Sequence, residues 1–212
     1  MKPIVIIHEN EEWLVPLRDA FKQRGVTATE WFLDTGVVPF SQQPEDAVYY
    51  NRMSASSHTR GHRFAPELTK ATLTWLESAE RTVVNGPHVL ALEICKLSQY
   101  ATLQRAGLRV PKTHAVVGKQ HLVQAAQDFN HWPLIVKPNR GGKGLGVQRF
   151  NDSAELEAYL QRSDIDEPLD GLWLLQEYIQ AKQPVITRAE FVGQQFIYTV
   201  QVNTEAGRCF SS

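Results

Sequence analysis

Apolar residues come first as a short continuous run, Pro3-Ile-Val-Ile-Ile7, and then at helical spacing, Trp13-Leu14, Leu17 and Ala20-Phe21, before Gly25. This change of period predicts a strand, a helix and a glycine stop. Val26-Thr-Ala-Thr29, Ala47-Val-Tyr-Tyr50 and Thr82-Val-Val-Asn85 read as further strands, with a helix from about Pro66 to Glu80 carried by Leu68, Leu73 and Trp75-Leu76. Alternating strand and helix predicts a parallel sheet with helices on its faces. Asn85-Gly86-Pro87 is turn chemistry that breaks the pattern, so residues 1–87 read as one α/β domain.

Beyond it, Val89-Leu90, Leu92, Ile94, Leu97, Tyr100-Ala101 and Leu103 predict a single helix over 88–107 that Gly107 caps. A strand at 114–117, a helix at 122–129 and a strand at 133–137 follow, then a glycine-rich loop, a strand at 146–150, a helix at 153–161 and a strand at 172–179. Residues 185–202 alternate β-formers around Gly193-Gln194-Gln195 and predict a hairpin. The mixed order predicts an α+β domain over 88–212.

Composition mainly excludes. With 42% hydrophobic, 9% aromatic and 21% charged residues the chain has an ordinary globular make-up, which sets aside disorder, collagen and disulfide scaffolds. Lys plus Arg at 22 against Asp plus Glu at 23 gives a net charge of −1 and no general attraction for a polyanion, so nucleic acid is not an expected partner. Cys95 and Cys209 fit neither a zinc nor a C-x-x-C spacing, and a reduced, cytoplasmic protein is the expectation. The apolar run Ile4–Ile7 is too short for a signal-peptide core or a membrane span, so no membrane is expected.

The most informative stretch is Ile135-Val-Lys137-Pro-Asn-Arg-Gly141-Gly142-Lys143-Gly144-Leu-Gly146-Val147. Glycines between two strands let backbone N–H groups approach an anion closely, and the lysines supply cations beside them, as a polyphosphate site requires. The order is not that of a Walker loop, and a strand rather than a helix follows, so it is not a dinucleotide fingerprint either. The alternative is a flexible turn with a solvated lysine, against which stands Lys137 in an apolar strand. In the first domain, Tyr50-Asn51-Arg52 follows a strand and opens a polar segment bearing His58, Arg60, His62 and Arg63, a cationic loop suited to a carboxylate or simply to solvent. His58 and His62 lack the helix that would hold both on one metal, so no zinc site is expected.

The loop and its surroundings resemble the ATP-grasp superfamily, nearest to its RimK-like glutamate-ligase branch, from about residue 80 to 202. The quoted pieces are Lys96 in Glu93-Ile-Cys-Lys-Leu, the Gly107-Leu-Arg-Val-Pro-Lys-Thr113 segment, the glycine loop, and Gln176-Glu177-Tyr178-Ile179. Residues 1–80 match only in outline, as a preceding α/β substrate domain. The resemblance implies an ATP-dependent carboxylate–amine ligase acting through an acyl phosphate, with ATP and magnesium as cofactors and a carboxylate and an amine as substrates. Lys96 and Lys137 would neutralise the phosphates, and Gly141, Gly142, Gly144 and Gly146 would close over them. Gln176, Glu177, Tyr178 and Ile179 would hold adenine, and Arg52 would face the substrate.

Arg188, in Ile186-Thr187-Arg188, falls where the branch has an Asp-Ile-Arg triplet and is the implied catalytic guanidinium. Ile186 replaces the acidic member that would contact ribose. The only carboxylates after Arg188 are Glu190 and Glu205, so the metal ligands are expected outside this chain, which reads as a C-terminally truncated ligase. A non-catalytic nucleotide-binding module is the alternative, an unrelated α/β interaction domain the third reading, and a homo-oligomer stays open.

Overall fold

The computed structural model describes residues 2–142 and 144–203. Cα packing divides the chain into two compact units, one of Met1–Leu108 with Arg140–Gly142, the other of Arg109–Asn139 with Lys143–Ser212. The first unit therefore extends past the 87/88 turn, because the helices that follow the turn pack back on it.

In the first unit, β1 (Ile4–His8), β2 (Thr29–Phe32), β3 (Val48–Asn51) and β4 (Thr82–Val84) form a parallel sheet in the order β2-β1-β3-β4. The strand expected at Val26–Thr29 is displaced toward the C-terminus. Pairing of Val5 with Thr29 through His8 with Phe32 fixes the register and lets Trp31 lie 5.3 Å from the Tyr49 ring. Packing against a neighbour outweighs the β-branched propensity of residues 26–29. Helix α1 (Val15–Gln23) connects β1 to β2, and α2 (Ala65–Ser78) precedes β4. Val5, Ile7, Ala47, Tyr49, Leu73 and Leu76 make the core, each contributing about 1.5–3 kcal/mol where a large side chain is fully buried.

The single helix expected over 88–107 is two, α3 (Pro87–Ile94) and α4 (Lys96–Arg105). Cys95 between them has φ −139° and ψ 107°, an extended conformation that no glycine or proline in the sequence signals. The break places Lys96 at the first position of a helix.

An ion cluster ties α1 to β2. Arg18 donates from Nε to Glu30 Oε1 at 2.7 Å and from Nη2 to Glu30 Oε2 at 2.5 Å, with Glu11 Oε2 also at 2.5 Å. These hydrogen bonds hold the Glu30 carboxyl below its ordinary range, against the opposing effect of partial burial. Because the folded value is depressed, the stability carried by this pair is present above about pH 4.3 and is lost as pH falls through the folded value. Glu30→Gln is thus expected to melt below the wild type at neutral pH, with the gap closing on acidification below about pH 4. Melting curves across that range check it.

In the second unit, β5 (Thr113–Val117), β6 (Leu134–Pro138), β7 (Gln148–Phe150) and β8 (Leu172–Glu177) form an antiparallel sheet in the order β5-β8-β6-β7. One face, with Val116, Leu134, Val136, Phe150, Trp173 and Leu175, is covered by α5 (Leu122–Phe129) and α6 (Ser153–Leu160) through Leu122, Ala126, Phe129 and Leu156. Asp152 caps α6 by accepting from Glu155 N–H at 2.9 Å. Since side chains alternate across a strand, Thr113, Ile135, Lys137, Leu174 and Gln176 share the opposite face. β9 (Val185–Val192) and β10 (Gln195–Asn203) form the expected hairpin, with a register irregularity between Phe196 and Tyr198.

Candidate functional site

In the second unit the sheet brings the expected nucleotide residues together. Lys137, 9% exposed, donates from Nζ to Gln176 Oε1 at 2.7 Å, and Gln176, 3% exposed, donates from Nε2 to Thr113 Oγ1 at 2.9 Å. Register makes this contact inevitable: Ile135 opposes Gln176, and Lys137 lies two residues further along the same face. The Gln176 amide, expected to face adenine, is engaged at both ends, so it orients the lysine. A buried ammonium requires such partners.

At the end of β8 the chain leaves the ladder stepwise. Glu177 N–H donates to Lys112 O at 3.0 Å, and Glu177 Oε1 accepts from Lys112 N–H at 2.9 Å. Tyr178 N–H reaches Pro133 O at 3.2 Å, and the Arg149 guanidinium stacks 4.5 Å above the Tyr178 ring. Ile179 is 62% exposed, and among the described residues its N–H has no partner.

Beyond β6, Asn139 donates from Nδ2 to Asp170 Oδ2 at 2.7 Å. Gly144 and Gly146 have φ of +76° and +69°, the left-handed region that glycine favours. The turn delays β7, read from Gly146, until Gln148. A Cβ on Gly146 would stand 3.0 Å from Pro138 Cδ. Gly146→Ala is therefore expected to cost roughly 1–2 kcal/mol or more of stability, measured by chemical denaturation. Lys143 lies outside the described residues.

Arg188, on β9, is exposed, and alternation places it on the same face of the hairpin as Ile186 and Glu190. Among the described residues the hairpin carries one carboxylate, Glu190, and Glu205 lies outside them. One carboxylate does not by itself furnish the octahedral oxygen set that magnesium demands, and substrate phosphates, water or residues outside the hairpin would have to complete it.

In the first unit, Lys96 Nζ donates to Gly141 O at 2.8 Å. Arg140, 6% exposed, is ion-paired with Glu67 of α2 and also donates to Arg63 O at 3.4 Å. Gly142 lies against Ser56, whose Cβ would be 3.8 Å from a Cβ on the glycine. These anchors of the loop's first half were not legible in the sequence, because Glu67 reads as an ordinary helix-surface acid.

Arg52 begins the loop after β3, its N–H donating to Ile7 O at 2.8 Å and its Nη1 to the Tyr50 hydroxyl at 3.2 Å. The neighbouring segment is less free to bind an anion than its basic residues suggest. Glu9, 1% exposed in its side chain, takes Arg60 in a bidentate pair, with Nη2–Oε1 at 2.5 Å and Nε–Oε2 at 3.0 Å. His58 Nδ1 is bonded to Ala55 O at 3.1 Å, while His62 Nδ1 is 3.6 Å from Asp34, so the two histidines turn to different partners.

An antiparallel sheet with a buried lysine on the face opposite its helices, a glycine loop leaving that strand and a hinge at the neighbouring strand's end are the parts of an ATP-grasp domain. The profile of the RimK-like ATP-grasp domain matches residues 95–211, and the chain belongs to that family. The solved RimK-domain ATP-grasp protein of Sphaerobacter thermophilus superposes with a TM-score of 0.68 at 20% identity, over 96% of this chain and 74% of that one. A D-alanine–D-alanine ligase of Stutzerimonas stutzeri is 33% identical over 93 residues, 44% of this chain and 28% of its own length. The α-aminoadipate–LysW ligase LysX of Sulfurisphaera tokodaii is 26% identical over 110 residues, 51% of this chain and 38% of its own. The chain thus spans well under half the length of these two curated relatives. No described helix is long and apolar enough to cross a membrane.

Proposed function

We propose that the chain is the nucleotide-gripping part of an ATP-dependent carboxylate–amine ligase. In that chemistry the terminal phosphoryl group of ATP passes to a carboxylate oxygen, leaving ADP and an acyl phosphate, and an amine then displaces phosphate to form the amide. In function, residues 88–212 act as the nucleotide-binding domain and residues 1–87 as the substrate domain, although residues 88–108 pack with the first unit.

Lys137 and Lys96 neutralise the phosphates, and Gly141, Gly142, Gly144 and Gly146 let backbone N–H groups close on them. Gln176 orients Lys137. The Glu177 carbonyl accepts from the adenine amino group, the Tyr178 ring lies beside the base, and the Ile179 N–H donates to a ring nitrogen. Arg188 holds a phosphoryl or acyl-phosphate oxygen, and Arg52 takes a substrate carboxylate.

One observation carries the reading: a buried lysine, held by a buried glutamine, opens the glycine loop of a RimK-like ATP-grasp domain. The unengaged Ile179 N–H at the strand end supports the adenine assignment. Calorimetric titration with a non-hydrolysable ATP analogue tests it, with saturable one-to-one binding expected. Absence of binding, with the fold intact by circular dichroism, removes the proposal.

A further inference from the structure

His8, the last residue of β1, is 2% exposed, and neither of its ring nitrogens has a hydrogen-bond partner among the described residues. A buried polar atom left without a partner is costly, so its presence points to a group that the protein alone does not supply. Phe32 stands edge-to-face with the ring at 5.4 Å and offers no donor to the imidazole lone pair.

Strand register decides what faces this histidine. Ile6 opposes Glu30, and His8 lies two residues along on the same face of β1, so Glu30 is its diagonal neighbour. His8 Nε2 stands 3.6 Å from Glu30 Oε2, beyond the range of a hydrogen bond. Glu11, from the segment that follows β1, brings a second carboxylate, and one ligand atom from each of the three residues lies within 4.8 Å of the other two. Two ligand atoms about 2.1 Å from an ion at a tetrahedral angle are about 3.4 Å apart, close to the separation that His8 and Glu30 already have. Glu11 is exposed and can close the remaining distance. The donors grade from buried His8 through partly buried Glu30 to exposed Glu11, so an ion reaches the site from the surface.

Arg18 bridges the two acids, its Nη2 at 2.5 Å from the Oε2 of each. A guanidinium has donors only, so it accounts for the carboxylates and cannot satisfy the lone pair of the imidazole. Two carboxylates against one guanidinium also leave a net negative charge. A divalent ion on the Oε2 side lets Arg18 keep its Nε bond to Glu30 Oε1.

We propose that His8, Glu11 and Glu30 bind a divalent transition-metal ion, with zinc the best match and water completing its shell. Imidazole nitrogen together with carboxylate oxygen suits zinc better than magnesium or calcium, which take oxygen ligands. Once bound, the ion pins the segment after β1 to β2 and replaces Arg18 Nη2 as the bridge between the acids. All three ligands belong to the first unit, so the proposal stands apart from the nucleotide reading.

The test is a titration of the full chain, first stripped of metal with a chelator, with zinc chloride. Calorimetry gives the stoichiometry, and nitrogen-15 correlation spectra of the imidazoles locate the ion. One zinc per chain is expected, with His8 moving most among the seven histidines and the melting temperature rising as zinc saturates. His8→Gln and Glu11→Gln should each weaken zinc by about tenfold or more. Glu11 is exposed, so its variant keeps the fold, checked by circular dichroism, even where replacing the buried histidine does not. Zinc that shifts other histidines and leaves His8 in place, which is adventitious surface binding, would overturn the proposal. So would an affinity unchanged in Glu11→Gln, or no saturable binding at all.

Discussion

Lys137→Ala is expected to abolish most affinity for an ATP analogue while leaving the fold intact. The ammonium is almost buried beside the loop, where solvent screens it poorly, and a charge-assisted bond to phosphate in such a place contributes on the order of a few kcal/mol, a hundredfold or so in affinity. Alanine also releases the Gln176 Oε1, but Gln176 keeps its bond to Thr113, so β5 and β8 remain tied on that face. Calorimetry on wild type and variant, with circular dichroism as the control, gives the answer. Unchanged affinity would take the phosphate role away from Lys137. Lys143, farther from the sheet in sequence, should matter less.

Phe129→Ala should have the largest effect on stability in the second unit. Phe129 is 1% exposed at the end of α5, in the cluster with Leu134, Val136 and Leu175 that underlies β6 and β8. Its ring also takes His114 edge-on at 4.9 Å and the Lys112 ammonium at 4.5 Å. Emptying such a site costs about 3–5 kcal/mol, transfer and cavity terms together. Because β6 and β8 carry Lys137 and Gln176, loss of nucleotide affinity should follow the loss of fold. Urea denaturation checks the first, and titration at temperatures below the new midpoint checks that affinity recovers where the unit is folded.

Where elements are strongly periodic and bounded by turn residues, the sequence predicted them closely. The helix at 122–129 and the hairpin around Gly193 lie where the pattern puts them. The failures have physical causes. Extended backbone at Cys95 interrupts an apolar pattern that reads as continuous, and pairing with β1 moves β2 from its β-branched residues to Thr29–Phe32. Lys137, Gln176 and the glycines were legible because unusual residues stand in a strand and a loop. The partners were not: Glu9 neutralises Arg60 from 51 positions away, and Glu67 holds Arg140 from 73, separations across which a single sequence carries no signal.

The central claim is that nucleotide sits against the face of the β5-β8-β6-β7 sheet that carries Lys137 and Gln176, between Lys137 and the end of β8. Backbone amide resonances followed during titration with a non-hydrolysable ATP analogue test it most directly. The account predicts saturable shifts concentrated at Lys137, Gly144, Gly146 and Glu177–Ile179, with the Ile179 amide moving downfield as it acquires an acceptor. Binding that shifts other regions while leaving Lys137 and Ile179 in place would contradict it.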